Sequence, residues 1–459
     1  MKKSKALLVM IIIFALCLSV CALTACDSHK HDFSNEVVEE EFIATEASCE
    51  QRATYYKSCS CGKKGTETFE YGDYKHNFGR DIVCDDCGYT KPTQGLEYKL
   101  NSDKQSYYVN GLGSATSKEI VIAPTYNDLP VTAIGEGAFS GKNNLTSLTI
   151  PDSITRIEKN AFRYCSMEIK WGKNPTIETI GEYAFNAYSG SSIVIPSSVT
   201  TIEAYGFSKC NFLVNIAIPS SLTSIGENAF MEAAVSNIFI EDLNAWCRIS
   251  GLTYLMSNMF CRKSLYLGND LVTEVVIGEG IENIPDFAFA SCLYLTKVTI
   301  EDNVKSIGIN AFNSCDKIKS ATIGNGVQSI GMAAFSQCVN MTNVIIGNGV
   351  KSIGGFAFFG CTKLVNVTFG ENIESLGELA FYCCSNLTSV TLPKTLNYIE
   401  KDVFTECSSL TSITFENTEG WWLARQIEET SGESVDVSNP TENVKLLTDT
   451  FRDFFWHRG

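Results

Sequence analysis

The residues best suited to chemistry crowd into one short stretch. Residues 27–92 hold three of the four histidines, and they contain an internal duplication in which Lys30-His31-Asp32-Phe33 is echoed by Lys75-His76-Asn77-Phe78. Each copy is followed by a cysteine pair ending in glycine, Cys59-Ser60-Cys61-Gly62 and Cys84-Asp85-Asp86-Cys87-Gly88. A Cys-x-x-Cys-Gly turn lets two thiolates face one ion while glycine takes the unusual backbone angle, and His31, Cys49 and His76 could complete tetrahedral shells. The pattern therefore fits a structural zinc site drawn from His31, Cys49, Cys59, Cys61, His76, Cys84 and Cys87. In an oxidising compartment the same cysteines could instead pair as disulfides, although five cannot all pair within the chain. The Cys-x-Cys spacing of the first pair is tight for a zinc knuckle. Zinc, disulfides and free thiols stay open, and zinc or disulfides would staple a small module that lacks a core of its own.

Elsewhere the chemistry thins out. Eight further cysteines (Cys165, Cys210, Cys292, Cys315, Cys338, Cys361, Cys384 and Cys407) fall at one regular offset, and no histidine occurs between His76 and His457. A nucleophilic cysteine or serine needs a base, so Cys-His and Ser-His catalysis have no histidine in that span. Buried small apolar thiols are the simpler reading. Carboxylates are numerous, but their positions drift from copy to copy, as at Glu301, Gly324 and Gly347. The expectation is a protein that is not an enzyme and needs no cofactor for activity. A net charge of −16 argues against nucleic acid as a partner.

These cysteines are positioned by a repeat. Phenylalanine returns about every 23 residues, at Phe139, Phe162, Phe185, Phe207 and Phe230, then at Phe289, Phe312, Phe335, Phe358, Phe381 and Phe404. Five residues earlier stands an aliphatic residue, directly before it a small one, and three residues later usually the cysteine. A short alternating run follows, such as Leu295, Val298, Ile300, closed by Pro or Gly. The Ala-Phe-x-x-Cys spacing predicts a single helical or 3-10 turn and the Val-x-Ile spacing a strand. One such unit cannot bury its own apolar face, but stacked neighbours share a continuous core.

The consensus I-x-x-I-G-x-x-A-F-x-x-C-x-x-L-x-x-V-x-I-P resembles the BspA-like class of leucine-rich repeats over roughly residues 93 to 459. Clean copies are Ile307-Gly308-Ile309-Asn310-Ala311-Phe312 and Ile330-Gly331-Met332-Ala333-Ala334-Phe335. The expected fold is an α/β repeat solenoid, a leucine-rich-repeat-like right-handed superhelix of about thirteen rungs, each a short parallel strand and a helical turn. A parallel β-helix, which often carries polysaccharide lyases or hydrolases, is the alternative, disfavoured by the short loops. What the resemblance implies is a bacterial cell-surface protein that adheres to host or neighbouring-cell molecules, such as matrix proteins.

The first residues set the expected compartment. Lys2, Lys3 and Lys5 precede an apolar stretch from Ala6 to Val20, which reads as a secretory signal over residues 1–25. It ends in Leu23-Thr24-Ala25-Cys26, which resembles the lipobox of bacterial lipoproteins; the implication is that Cys26 carries lipid and tethers the chain to the outer face of the cell membrane. Residues 26–92 then form the Cys/His-rich spacer, 93–418 the solenoid with a longer variant unit at 231–285, and 419–459 a C-terminal cap rich in aromatics (Trp421, Trp422, Phe451, Phe454, Phe455, Trp456).

Along the strands the outward positions are Ser147 and Thr149, Lys297 and Thr299, Ser320 and Thr322, Asn343 and Ile345, Asn366 and Thr368, Ser389 and Thr391, Ser412 and Thr414. Stacked at about 4.8 Å per strand they form a polar ladder. Simple β-propensity on a solvated sheet would produce it; so would a surface for an extended partner. The candidate contacts are Thr299, Thr322, Asn343, Asn366, Thr368, Thr391 and Thr414, with Trp246 of the longer unit either filling an enlarged rung or projecting for recognition. The expected partner is an extracellular macromolecule, a host matrix protein or a glycan. A carbohydrate-binding or degrading protein and a structural envelope component are the rival functions.

Overall fold

A computed structural model describes residues 32–48, 51–60, 63–71, 91–257 and 261–459. The secretory segment, Cys26, and six of the seven proposed zinc ligands (His31, Cys49, Cys61, His76, Cys84 and Cys87) lie outside the described residues. The chain divides into two compact units, Met1–Pro92 and Thr93–Gly459.

The described part of the first unit is a three-stranded antiparallel sheet of Ile43–Thr45, Ala53–Ser58 and Lys64–Tyr71. Phe42, Ala53 and Cys59 are its buried apolar residues. Tyr55 stacks on Phe69 at 5.8 Å, and the Lys64 ammonium lies over the Phe42 and Tyr56 rings.

The second unit is a solenoid of about 13 turns with little helix. Each regular turn contributes two parallel strands. Lys297–Ile300 pairs in register with Ser320–Ile323, and the two-residue Ser306–Ile307 with Ser329–Ile330. In the longer strands alternate residues point inward: Val298, Ile300, Ala321, Ile323, Val344 and Ile346 are all buried. That is the period of two read from the sequence, and it gives the solenoid one apolar wall. A second wall comes from the phenylalanines, whose rings stack along the axis at 5.0 Å for Phe312 and Phe335 and 5.5 Å for Phe335 and Phe358. The column runs from Phe139 to Phe230 and again from Phe289 to Phe404.

The turn that carries each phenylalanine is not helical, which corrects the expected α/β architecture. Asn310 and Ser314 bracket Phe312 with φ of 54° and 58°, and Tyr205 and Lys209 bracket Phe207 in the same way. The odd amides close local turns, Ala311 to the Gly308 carbonyl and Asn313 to that of Asn310. The even ones donate along the axis to the next rung, Asn310 to Met332, Phe312 to Ala334 (2.7 Å) and Ser314 to Ser336. A helix would consume every amide within its own turn. Left-handed residues four apart, each costing about 1–2 kcal/mol in a residue other than glycine, free half of them to bind the neighbouring rung. The i, i+3 spacing of the sequence is shared by a helix and by a chain of tight turns, so it could not separate the two.

What helix there is lies outside the regular repeats. Within the longer unit, Leu243–Trp246 is capped by the Asp242 carboxylate, which accepts from the Ala245 amide, and Thr253–Met256 follows. The unit returns to the ladder through Ser264–Leu267 and ends in a hairpin with Asp270–Leu271. At the C-terminal end Phe455–Arg458 pairs antiparallel with Tyr398–Ile399 and with Trp421–Ala424, and Glu433–Ser434 forms the last strand. The Pro440–Lys445 helix sits on Ser412–Phe415 through the buried Asn443 amide, which donates to the Ile413 carbonyl at 2.9 Å. The longer strands form four separate sheets, the third (Glu274–Ile277 to Asn366–Thr368) and the last (Ser389–Leu392 with Ser412–Phe415) parting after Thr368. Those partings shape the surface.

Candidate functional site

In the third sheet the outward residues form two rows held in register by parallel pairing. Glu274, Lys297, Ser320, Asn343 and Asn366 make one; Val276, Thr299, Thr322, Ile345 and Thr368 the other. Beyond the parting, Ser389 faces Ser412 and Thr391 faces Thr414. Thr322, Asn366, Thr368 and Thr391 are exposed, and Thr299, Asn343 and Thr414 half-buried. Two positions correct the expected surface. Ser147 is buried, in a strand paired with both Glu119–Val121 and Glu168–Trp171. Trp246 is 1% exposed, and its indole donates to the Ala288 carbonyl at 3.0 Å beside Phe289. It fills the enlarged rung where the phenylalanine column is interrupted and cannot reach a ligand.

Between Asn366–Thr368 and Ser389–Leu392 the surface opens into a cleft of about 370 Å³. The fourth strand position, isoleucine at 300, 323 and 346, is here Phe369, whose ring meets Phe381 edge-on at 5.6 Å, and the strand ends one residue earlier. Asn366, Thr368, Glu371, Ser389, Thr391 and Glu416 line the opening. The Glu416 carboxylate accepts from the Lys394 amide at 3.1 Å, and the Asn348 side-chain carbonyl receives the Glu371 amide at 3.1 Å. Four polar side chains and two carboxylates thus converge on a groove that crosses the ladder. Such a site can accept hydrogen-bond donors from a partner without any redox or nucleophilic group of its own.

The second sheet, from Ser192–Val194 to Asp270–Leu271, presents a different face. Its first outward row is polar, Ser192, Asn215, Asn237 and Ser264, with the Asn237 amide donating to Asn215 at 2.8 Å. Its second is apolar: Val194, Ala217, Phe239 and Tyr266. Phe239 and Tyr266 stack at 4.6 Å, and a second cleft of about 360 Å³ lies over this row. Sequence reasoning missed it because the irregular spacing after Phe230 hides the register; the alternation Asn237-Ile238-Phe239-Ile240 was the available signal.

The repeat thiols are structural. Seven of the eight donate to the carbonyl of the phenylalanine in the preceding rung, among them Cys338 to Phe312 and Cys361 to Phe335 at 3.3 Å, and Cys407 to Phe381 at 3.2 Å. Burial pushes Cys210 and Cys361 up to about 12 and raises Cys315, Cys338 and Cys384 well above the ordinary thiol range, so thiolates do not form there. Lys263, in the longer unit, is 1% exposed and donates to the Val235 carbonyl at 2.6 Å; burial brings its pKa down to about 8. His457 stacks on Trp422 at 4.4 Å, and burial lowers its pKa. Cys59, the proposed zinc ligand within the described residues, is buried at the end of its strand. Among the described residues no group of three or more His, Cys, Asp or Glu side chains is placed to hold a metal, and no helix is long and apolar enough to cross a membrane.

A family model for BspA type leucine-rich repeat regions matches residues 132–260, 262–346 and 328–445. Solved structures similar to this chain include a leucine-rich repeat protein from Bacteroides ovatus, 24% identical over 71% of this chain and 88% of that one, with a TM-score of 0.48. A leucine-rich cell surface protein from Faecalibacterium prausnitzii is 21% identical, covering 72% of this chain and 95% of its own, TM-score 0.36. The pneumococcal vaccine antigen PcpA is 20% identical, covering 72% and 82%, TM-score 0.40. No curated protein matches the chain.

Proposed function

The chain belongs to the BspA type leucine-rich repeat family, and from that premise we propose that it is a surface-displayed interaction protein that binds an extracellular macromolecule through the outward face of its long strands. The observation that carries this reading is the pair of outward rows, in register over five parallel strands and continued beyond a polar cleft. A parallel sheet fixes side chains at about 4.8 Å intervals, so a partner lying along the axis meets outward side chains at every rung, a hydroxyl or amide at most of them. Small hydroxyls and amides lose little rotamer freedom on contact. The partner is a host matrix protein; a glycan is the second reading, favoured by the convergence of Asn366, Thr368, Ser389 and Thr391 on Glu371 and Glu416.

In the same reading Cys26 carries the lipid that holds the protein at the outer face of the membrane, and the aromatic C-terminal strands close the last rung. The Cys/His-rich segment before the solenoid is stapled by zinc or by disulfides. Replacing Cys26 by Ala should release the chain from membranes in detergent partitioning. Zinc content and intact-mass measurements on protein purified without chelator separate the two staples.

The test of the function is a binding screen of the chain on arrays of matrix proteins and glycans, followed by Thr322→Lys, Thr368→Lys and Thr391→Lys combined. The expected result is a protein hit weakened at least about tenfold by the triple variant. Binding that survives it unchanged would move the site off the ladder, and silence on both arrays would favour a structural envelope role.

A further inference from the structure

The apolar row of the second sheet contains one gap. Val194, Ala217 and Phe239 are direct neighbours on successive strands. Strand spacing puts Val194 and Phe239 about 9.6 Å apart, twice the step of about 4.8 Å, with only a methyl group between them. One face of the Phe239 ring is taken by Tyr266 at 4.6 Å and 16°. The other looks over Ala217 toward Val194, which is 61% exposed. The cleft of about 360 Å³ is this slot, walled by Phe239 and Val194, floored by Ala217, and rimmed by Asn215, Glu241 and Asn269.

We infer that the slot over Ala217 takes one aromatic side chain of a protein partner, flanked by cationic residues, which continues the Tyr266–Phe239 stack. A planar ring needs an aromatic face and roughly one ring thickness of space, and offset stacking adds to what the buried area alone contributes. An aliphatic side chain would fill the space without the ring contact. The cationic flank follows from charge: Glu241 stands at the rim, and the chain carries −16. Large aromatic anchors in such slots are the usual centres of binding energy in protein interfaces. The inference deepens the protein-binding reading above while resting on a different sheet, so the slot can fail while the polar ladder still binds.

The experiment uses the full chain and three probes: acetyl-Lys-Trp-Lys-amide, acetyl-Lys-Leu-Lys-amide and methyl β-galactopyranoside, titrated by ligand-observed saturation-transfer NMR. The tryptophan peptide should bind, the leucine peptide at least about tenfold more weakly. Ala217→Phe, which plugs the slot with a residue suited to a strand, should abolish the signal, while Met332→Gln, at an exposed position outside the outward rows, leaves it intact. Phe239→Ala removes the stacking wall and should do the same as Ala217→Phe; it decides the matter if the plugged variant melts early. No saturation of the tryptophan peptide, or saturation indifferent to both variants, overturns the inference. Saturation of the sugar that Ala217→Phe removes would also overturn it and reassign the slot to a glycan.

Discussion

The second and third long-strand sheets are built on one inward pattern and differ in one of their two outward rows. Inside, Ile216, Ile218, Ile238 and Ile240 of the second sheet repeat what Val298, Ile300, Ala321 and Ile323 do in the third. Outside, both carry a polar first row, but in the second row the third sheet offers Val276, Thr299, Thr322, Ile345 and Thr368 where the second offers Val194, Ala217, Phe239 and Tyr266. The difference teaches where this fold is constrained. Inward side chains must match both neighbours in a shared core, so a change propagates to the rungs on either side. Outward ones meet only water and their row neighbours, so each stretch of sheet can acquire its own chemistry at little cost to stability.

If the inward pattern is common to both halves, the largest effects should be equal in them. Phe185→Ala and Phe335→Ala each delete a fully buried ring from the axial stack and should each cost about 3–5 kcal/mol in urea unfolding. A markedly smaller loss at Phe185 would mean that the N-terminal half packs loosely and would break the comparison.

Lys263 tests the joint between the halves. Its folded pKa of about 8 lies below the ordinary lysine value of 10.5. Between those values the unfolded chain binds a proton that the folded chain does not, so stability should rise with pH through this window, and the cost of the buried charge is fully present below it. Lys263→Met should therefore melt higher than the parent near neutral pH, by up to about 3 kcal/mol less the bond lost at the Val235 carbonyl, with the margin shrinking as pH rises toward 10. A margin independent of pH would place the ammonium in water.

Cys338→Ala removes one of two donors to the buried Phe312 carbonyl, the Cys315 amide remaining, and should cost about 0.5–1.5 kcal/mol, as should Cys210→Ala in the other half at the Phe185 carbonyl, which keeps the Tyr188 amide. In the parent these thiols should resist alkylation until the chain is unfolded. The smallest effect belongs to the outward positions: Thr322→Val and Ala217→Val should each shift stability by less than about 0.5 kcal/mol. A larger loss at either would show that the outward rows help to hold the sheet.

Much of the fold was legible in the sequence because a fixed period leaves few architectures. The phenylalanine column, the inward aliphatics and the regular cysteine offset all followed from spacing. The turn did not, since a helix and a run of tight turns both place i and i+3 together; only the alternation of axial and local hydrogen bonds separates them. The outward ladder was legible rung by rung, and its gaps were not. Phe369 looks like a conservative exchange for isoleucine, yet the ladder parts beside it and a cleft opens.

By itself, then, the sequence determined the repeat, the residues that face inward and the lack of a histidine base within the repeats, because those depend on spacing along one chain. Tertiary structure alone decided that Trp246 is sealed against Ala288, that Lys263 is buried, and that Ala217 leaves a slot beside Phe239. Each of these depends on which residue of another rung stands about 4.8 Å away, and that register is fixed by hydrogen bonds between strands, not by order along the chain.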